Sequence, residues 1–165
     1  MADHEDIKTQ RLLRMTLSHY KNEECSEEEM HRFATEDHAV HAAKIHARHG
    51  MEAYAIVFTP ASFRKASREL NAQLGDKWVI RDYDLQVEFY FRDMSILPGL
   101  AADPDFQAMQ AMEGPIVSRL HVEQSIGWVE TYIKDGKIVN VDENGKPTYP
   151  KFSALSVAPN KPPPA

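Results

Sequence analysis

Apolar and polar residues alternate from Leu12 to Lys21, with Leu13, Met15, Leu17 and His19 on one face and Arg14, Thr16, Ser18 and Tyr20 on the other. A period of two over this length predicts a half-buried strand. Asn22 to Cys25 connect it to a helix whose start is marked by Ser26-Glu-Glu-Glu29, a capping box in which the first and last residues satisfy each other's backbone amides. Three glutamates suit the positive end of the helix dipole, as Arg48 and His49 suit the other end. Gly50 is a natural residue to follow the last turn. A second strand is predicted over Met51 to Thr59, stopped by Pro60, and a weaker helix over Ala61 to Gly75. The third strand, Trp78 to Phe91, is clearest where Leu85, Val87, Phe89 and Phe91 alternate with Asp84, Gln86, Glu88 and Tyr90. Ser95 to Ala111 predicts a second main helix interrupted near Pro98 and Pro104, and Gln124 to Lys134 a fourth strand. Asp135-Gly136 reads as a hairpin turn into a short strand, Lys137 to Val141.

The resulting order, β-α-β-(α)-β-α-β, is the split, ferredoxin-like arrangement: an α+β fold with an antiparallel sheet and helices on one face. One domain is expected over 11–147, with a flexible lead-in at 1–10 and a proline-rich tail at 148–165 that hugs the surface or frays.

Composition narrows the partners. Apolar residues make up 42% and charged residues 27%, an ordinary globular balance. Nineteen basic residues against 25 acidic ones give a net charge of −6, and no basic block appears, so nucleic acid is not an expected partner. No apolar run reaches the length of a membrane span, and the acidic opening Met-Ala-Asp-His-Glu-Asp lacks an apolar signal core. The single cysteine, Cys25, precludes an internal disulfide, which points to a reducing, cytoplasmic setting. Its place just before a helix start favours a thiolate, against the plainer reading of an inert boundary residue.

Histidine carries the candidate chemistry. Five of the eight lie between positions 31 and 49. At about 100° per residue, Met30, Ala34, His38, His41, Ile45 and His49 form one stripe, and its apolar members mark that stripe as buried. His38 and His41 are therefore expected to face the sheet, with His31, His46 and His49 in solvent. A second apolar line, Phe33, Val40 and Ala47, lies roughly opposite; one line faces the sheet and the other a partner subunit or the C-terminal tail, and the pattern alone does not choose between them. Imidazole titrates near neutrality, so an inward histidine can serve as general acid and base; the alternative is a core histidine bonded to a backbone carbonyl. His38-x-x-His41 lacks the third ligand and the wider spacing of a helix-borne zinc site, and His19, Asp84 or Glu88 would supply that ligand only by coincidence of folding, so no metal is expected. Tyr54 and Trp78 are candidates for an aromatic-lined pocket. His121 stands at the entrance to the fourth strand, where loop residues often carry function. Gln86 and Glu88, polar on a central strand, suit a sheet-to-sheet contact between subunits. No glycine-rich phosphate loop, nucleophile elbow or His-Glu-x-x-His motif is present.

Leu12-Leu-Arg-Met-Thr16, Ser26-Glu-Glu-Glu-Met-His31, Glu36-Asp-His-Ala39 and Ala47-Arg-His-Gly50 together resemble EthD-domain proteins of the dimeric α/β-barrel superfamily. The stretch from Asp82 to Asp93 is similar to that family's third strand, Ala102 to Phe106 to its second helix, and Gly127-Trp-Val-Glu130 to its last strand. The likeness spans roughly 12–140. Within the superfamily it is nearest to small fungal proteins of aromatic polyketide pathways, decarboxylases of anthrone- or anthraquinone-type carboxylic acids such as atrochrysone carboxylic acid. The resemblance implies a homodimer whose two sheets close into a barrel, a pocket between helices and sheet in each subunit, and no cofactor. It maps the family's helix histidine onto His38. One departure is Ala34, where a bulky aromatic often precedes that histidine by a turn; a small residue reshapes the pocket.

On this reading His38 is the acid/base, with Tyr54 or His121 as second donor. Met15, Leu17, Ile56, Val87 and Phe89 form an apolar wall, and His41 and Trp78 complete the substrate contacts. A dehydratase or cyclase of the same fold, a cofactor-free anthrone monooxygenase, and a non-catalytic protein that binds aromatic ligands remain alternatives.

Overall fold

A computed structural model describes residues 11–157; the expected lead-in at 1–10 and the end of the tail lie outside them. Strand β1 (Leu12–Lys21) is central in a four-stranded antiparallel sheet. It pairs with β3 (Leu85–Phe91) on one side and β4 (Val117–Val129) on the other, and β2 (Ala53–Phe58) lies beyond β3. The order β2-β3-β1-β4 is the ferredoxin-like one expected from the sequence. Leu13, Met15, Leu17 and His19 stand opposite Phe91, Phe89, Val87 and Leu85, and Tyr54, Ile56 and Phe58 continue the same face onto β2. That face carries the core. The other face is polar along its centre: the Gln86 amide donates to Ser18 Oγ (3.0 Å), and Glu88 accepts from the Tyr90 hydroxyl (2.8 Å).

Helix α1 covers the core face and has three parts: Glu27–Arg32, a π-helical stretch Phe33–His38, and Ala39–Arg48. The capping box is formed, with Ser26 Oγ accepting from the Glu29 amide (3.1 Å) and Glu29 Oε2 accepting from the Ser26 amide (2.9 Å). In the π-helical stretch the Ala39 amide reaches back five residues to the Ala34 carbonyl. This wide turn corrects the expected face. In an unbroken α-helix Met30 and His46 would point roughly 160° apart, yet both are buried, together with Ala34, Ala42 and Ile45. The wider turn holds steps of four residues in line, so 30, 34, 38, 42 and 46 stack over the sheet. His46, expected in solvent, is 2% exposed. His41, expected inward, is exposed, and its Nδ1 donates to the Asp37 carbonyl (2.6 Å). His49, also expected in solvent, is half-buried and donates from Nε2 to Asp103 Oδ2 (2.6 Å).

Three other expectations shift. Strand β3 starts at Leu85 rather than Trp78, because Asn71 at the end of α2 (Ala61–Gln73) takes both backbone groups of Trp78: its amide donates to the Trp78 carbonyl (2.8 Å) and its carbonyl accepts from the Trp78 amide (2.9 Å). With those groups engaged, Trp78 has none to give a ladder. The second main helix is interrupted before Pro104, as expected, but not at Pro98, giving α3 (Ile96–Ala101) and α4 (Pro104–Ala111). Pro98 sits inside the first turn of α3, where its missing amide is not needed, whereas Asp103 caps α4 with Pro104 as its first residue. Strand β4 begins at Val117, well before Gln124, and ends at Val129; beyond it β5 (Ile133–Lys134) and β6 (Lys137–Ile138) form the small hairpin, its turn at Asp135 and Gly136 in left-handed conformations.

Arg48 clamps the helices together. Its guanidinium binds both oxygens of Asp103, and that carboxyl is held well below the usual carboxylate range by Arg48 first and His49 second. The tail is docked as far as it is described: α5 (Phe152–Leu155) buries Leu155, the Arg11 guanidinium donates to the carbonyls of Leu155 and Val157, and Phe152 packs edge-on to Trp128. Cys25 is buried, and burial pushes its thiol up, against the thiolate that its position before a helix would favour. Among the described residues no helix is long and apolar enough to cross a membrane.

Replacing Ser26 with Ala removes one half of the capping box while leaving the core untouched. The variant is expected to lose about 1 kcal/mol of stability in urea unfolding monitored by circular dichroism, with an unchanged m-value.

Candidate active site

A pocket opens between α1 and the core face of the sheet, with about 370 Å³ of free space counting its mouth. Met30, Phe33, Ala34 and His38 line it from α1, Ile56, Leu85 and Val87 from the sheet, and His19 from β1. Glu113, Ile116 and Val117 close it from the turn between α4 and β4. No lysine or arginine is among the described residues that line it.

His38 is the hub. Its Nε2 lies 2.9 Å from Glu113 Oε1, and its Nδ1 lies 3.4 Å from the Tyr54 hydroxyl. Burial first, and then the charge of Glu113, push the Tyr54 phenol up to about 12, so Tyr54 keeps its proton at neutral pH. Its O–H therefore points to His38 Nδ1, while Nε2–H donates to the carboxylate. A carboxylate behind one ring nitrogen fixes the tautomer and stabilises the imidazolium that forms when the other nitrogen takes a proton. The Tyr54 contact is long enough to yield Nδ1 to a substrate atom.

Each partner is anchored by its backbone. His38 closes the wide turn of α1, a feature that recurs at functional sites. Tyr54 faces Phe89 across the β2–β3 ladder, and the buried His46 ring packs on both, with centroids 5.1 Å and 5.0 Å away. Glu113 sits in a turn whose carbonyl accepts from the Ile116 and Val117 amides (both 2.9 Å). Asn22, in the loop after β1, clips that turn in place: its amide donates to the Ile116 carbonyl (2.8 Å) and its side chain to the Gly114 carbonyl (2.8 Å).

Two further imidazoles are kept neutral. Burial pushes His46 down to about 4, with His38 and His49 adding to the effect. Burial also lowers His19, partly opposed by Glu113 and reinforced by His38. In both residues the buried Nδ1 has no hydrogen-bond partner.

Of the residues expected to form the site, the structure brings together His38, Tyr54, Ile56 and Val87, with Phe89 directly behind Tyr54. Met15 and Leu17 pack against the core without lining the pocket. His41 is on the outer surface of α1 beside Lys44 and Met112. Trp78 is 55% exposed in the loop before β3. His121 is exposed, its ring edge-on to Tyr20 (5.9 Å), in a bulge where residues 119–122 oppose His19 alone. His19 and Glu113 were not among the expected site residues. His19 does lie on the apolar side of the alternation in β1, a signal within reach; Glu113 stands in a Glu-Gly-Pro break with nothing in the pattern to single it out. Among the described residues no group of three or more His, Cys, Asp or Glu side chains is arranged to hold a metal ion.

A family model of the EthD domain matches residues 22–119, more than half of the chain. The chain belongs to the EthD domain family. A protein of Aspergillus terreus (strain NIH 2624 / FGSC A1156) with a provisional oxygenase name is 44% identical over 144 residues, covering 87% of this chain and 90% of that one. The dehydratase aurZ of Gibberella zeae is 30% identical over 135 residues, covering 79% of this chain and 86% of its own. A dimeric ferredoxin-like protein of unknown function from Thermobifida fusca superposes with a TM-score of 0.48 at 12% identity, over 72% of this EthD chain and 92% of that chain. Both sequence relatives thus carry enzyme names and match this EthD protein across most of its length.

The buried neutral histidines set an acid limit. A histidine whose folded pKa lies below its unfolded value binds fewer protons folded than unfolded, so stability rises with pH in the window between the two. Stability is therefore expected to be level above about pH 7 and to fall as pH drops from 6.5 toward about 4, the two ends of the His46 shift. Urea unfolding at a series of pH values checks this, and His46→Phe should flatten the slope over that window.

Proposed function

We propose that this EthD protein is a cofactor-independent lyase that decarboxylates an aromatic polyketide carboxylic acid, with His38 as acid and base. The observation that carries the reading is the Glu113–His38–Tyr54 array, of which Glu113 and His38 line a largely apolar pocket. Such a pocket favours a neutral acid over its carboxylate, because no cation is there to hold the anion. His38 Nδ1 takes the carboxyl proton, and Glu113 steadies the imidazolium. The bond to the carboxylate carbon then breaks, its electron pair passes to the neighbouring carbonyl, and CO2 leaves. His38 returns its proton to the enolate oxygen, which also accepts from Tyr54. The substrate brings the proton that is used, so none is consumed. Such general acid help contributes about 10²–10⁴-fold.

The resemblance to dimeric α/β barrels supports a cytosolic homodimer that covers the polar face of the sheet, where Thr16 Oγ1 is buried without a partner. The oxygenase and dehydratase names of the two relatives favour a second reading with the same hub. There His38 takes a proton from carbon rather than from a carboxyl, and the enolate then loses water or meets oxygen.

Incubation with an anthrone-type carboxylic acid separates these outcomes. CO2 release supports the decarboxylase, water loss the dehydratase and oxygen uptake the oxygenase; tight binding without turnover overturns catalysis altogether. His38→Ala is expected to lower kcat by at least about 10²-fold with an unchanged circular dichroism spectrum, and Glu113→Gln to lower it by a similar order. Full activity in His38→Ala would remove His38 from the mechanism.

A further inference from the structure

We propose that His19 is a second substrate-binding residue, which selects ligands carrying a hydroxyl group in addition to the oxygen that meets His38. The inference rests on reading this pocket as the substrate site. His19 lines the pocket on the side away from Tyr54, and its buried Nδ1 has no hydrogen-bond partner. An unpaired nitrogen of this kind is costly, and leucine or phenylalanine would pack among Leu85, Val87 and Val117 without that cost. A bridging water needs two to four polar partners, and the pocket's other polar side chains, Glu113 and His38, are already paired with each other, beside the apolar Leu85, Val87 and Val117. The group that completes Nδ1 is therefore best supplied by the ligand.

The chemistry of that group follows from the surroundings. Desolvation keeps the imidazole neutral, so it has no charge with which to hold an anion, and Glu113 repels one. A hydroxyl both donates and accepts, so it matches either tautomer of a neutral imidazole. The ligand class is a planar aromatic with at least two oxygen functions, one at His38 and Tyr54 and one at His19. The bulge of β4 opposite His19 also frees that stretch of β1 from a regular neighbour on one side.

The test uses the full chain, labelled with 15N-histidine, titrated with 1-naphthol and with 1,3-, 1,6- and 1,8-dihydroxynaphthalene. Affinities come from calorimetry and ring-nitrogen shifts from NMR. At least one diol is expected to bind about tenfold more tightly than 1-naphthol, as one added buried hydrogen bond allows, and to shift both the His38 and the His19 nitrogens. His19→Phe should erase that preference while keeping the affinity for 1-naphthol, and its Tm without ligand should be unchanged or higher. His19→Gln, which keeps a hydrogen-bonding group, should restore part of the preference. If both kinds of probe shift His38 but no diol is preferred, or the preference survives in His19→Phe, the role of His19 is overturned and the pocket stands. If no probe shifts His38, the pocket reading falls and the inference with it. Should His19→Phe fail to fold, the wild-type preference and the His19 shift still decide the matter.

Discussion

One wide turn organises this molecule. An α-helix overshoots by about 40° at every four-residue step, so residues spaced strictly by four leave the inner face of a helix laid over a sheet within a few turns. The π-helical stretch from Phe33 to His38 absorbs that drift. It lets Met30 and Ala34 pack at one end of α1 while Ala42 and His46 pack at the other, with His38 between them lining the pocket. Ala42 has no exposed surface, and its small size lets the helix lie close to the strands at that point. Nearer the start of α1, Ala34 does the opposite work: a short side chain there leaves room rather than closing it. The pocket thus lies beside the short side chain of Ala34, while Ala42 is fully buried further along the helix.

The same arrangement places polar groups where they are expensive. His19 and His46 each leave a buried ring nitrogen unpaired, at about 1–3 kcal/mol apiece. Offsetting contributions come from elsewhere. Phe91 and Leu13 are buried beneath the helices, the capping box secures the start of α1, and Arg48 with His49 ties its end to the first residue before α4. These anchors lie at both ends of α1; His46 sits in its last turn beside Arg48, and His19 lies on β1 in the sheet that the helix covers. A helix fixed at its ends can hold such unsatisfied groups against the sheet, and His19, which lines the pocket, is where a ligand would have the most to gain by completing a hydrogen bond. Asn22 performs the equivalent service for Glu113, by fixing a turn that would otherwise be free to swing the carboxylate away from His38.

The sheet was legible in the sequence because alternation needs only neighbouring residues: Leu13 through His19 and Leu85 through Phe91 face each other as their patterns require. The ends of α1 were legible for the same local reason, through Ser26, Glu29 and Gly50. Its inner face was not, because a regular helical count has no term for the wide turn, and the count therefore exchanged His41 for His46. Trp78 was read as part of a strand because nothing local reveals that the Asn71 side chain takes its backbone groups. His121 was placed at a strand entrance, whereas β4 begins earlier and bulges, which sets His121 beside Tyr20 on the other face. Glu113 becomes visible only once α4 and β1 have been brought together in space. The parts of the site that depend on pattern were thus accessible, and the parts that depend on tertiary closure were not.

Ala34 links the fold to the bulk of what it binds. It precedes His38 by one turn, begins the backbone ring of the wide turn through its carbonyl, and lines the pocket beside Met30. A larger side chain at this position would fill the space over Val87 and Ile56 that a planar ligand needs in order to present an oxygen to His38. Ala34 has no part in the Glu113–His38–Tyr54 contacts, so the hub and the volume beside it are set by different residues. The hub is fixed by ladder register, a clipped turn and a helix clamp, all of which tolerate little change. The volume next to His38 is bounded on the helix side by one small residue in a turn already widened. A chain that keeps this hub can therefore change the shape of what it binds by substitution around position 34 while His38 and its partners stay as they are.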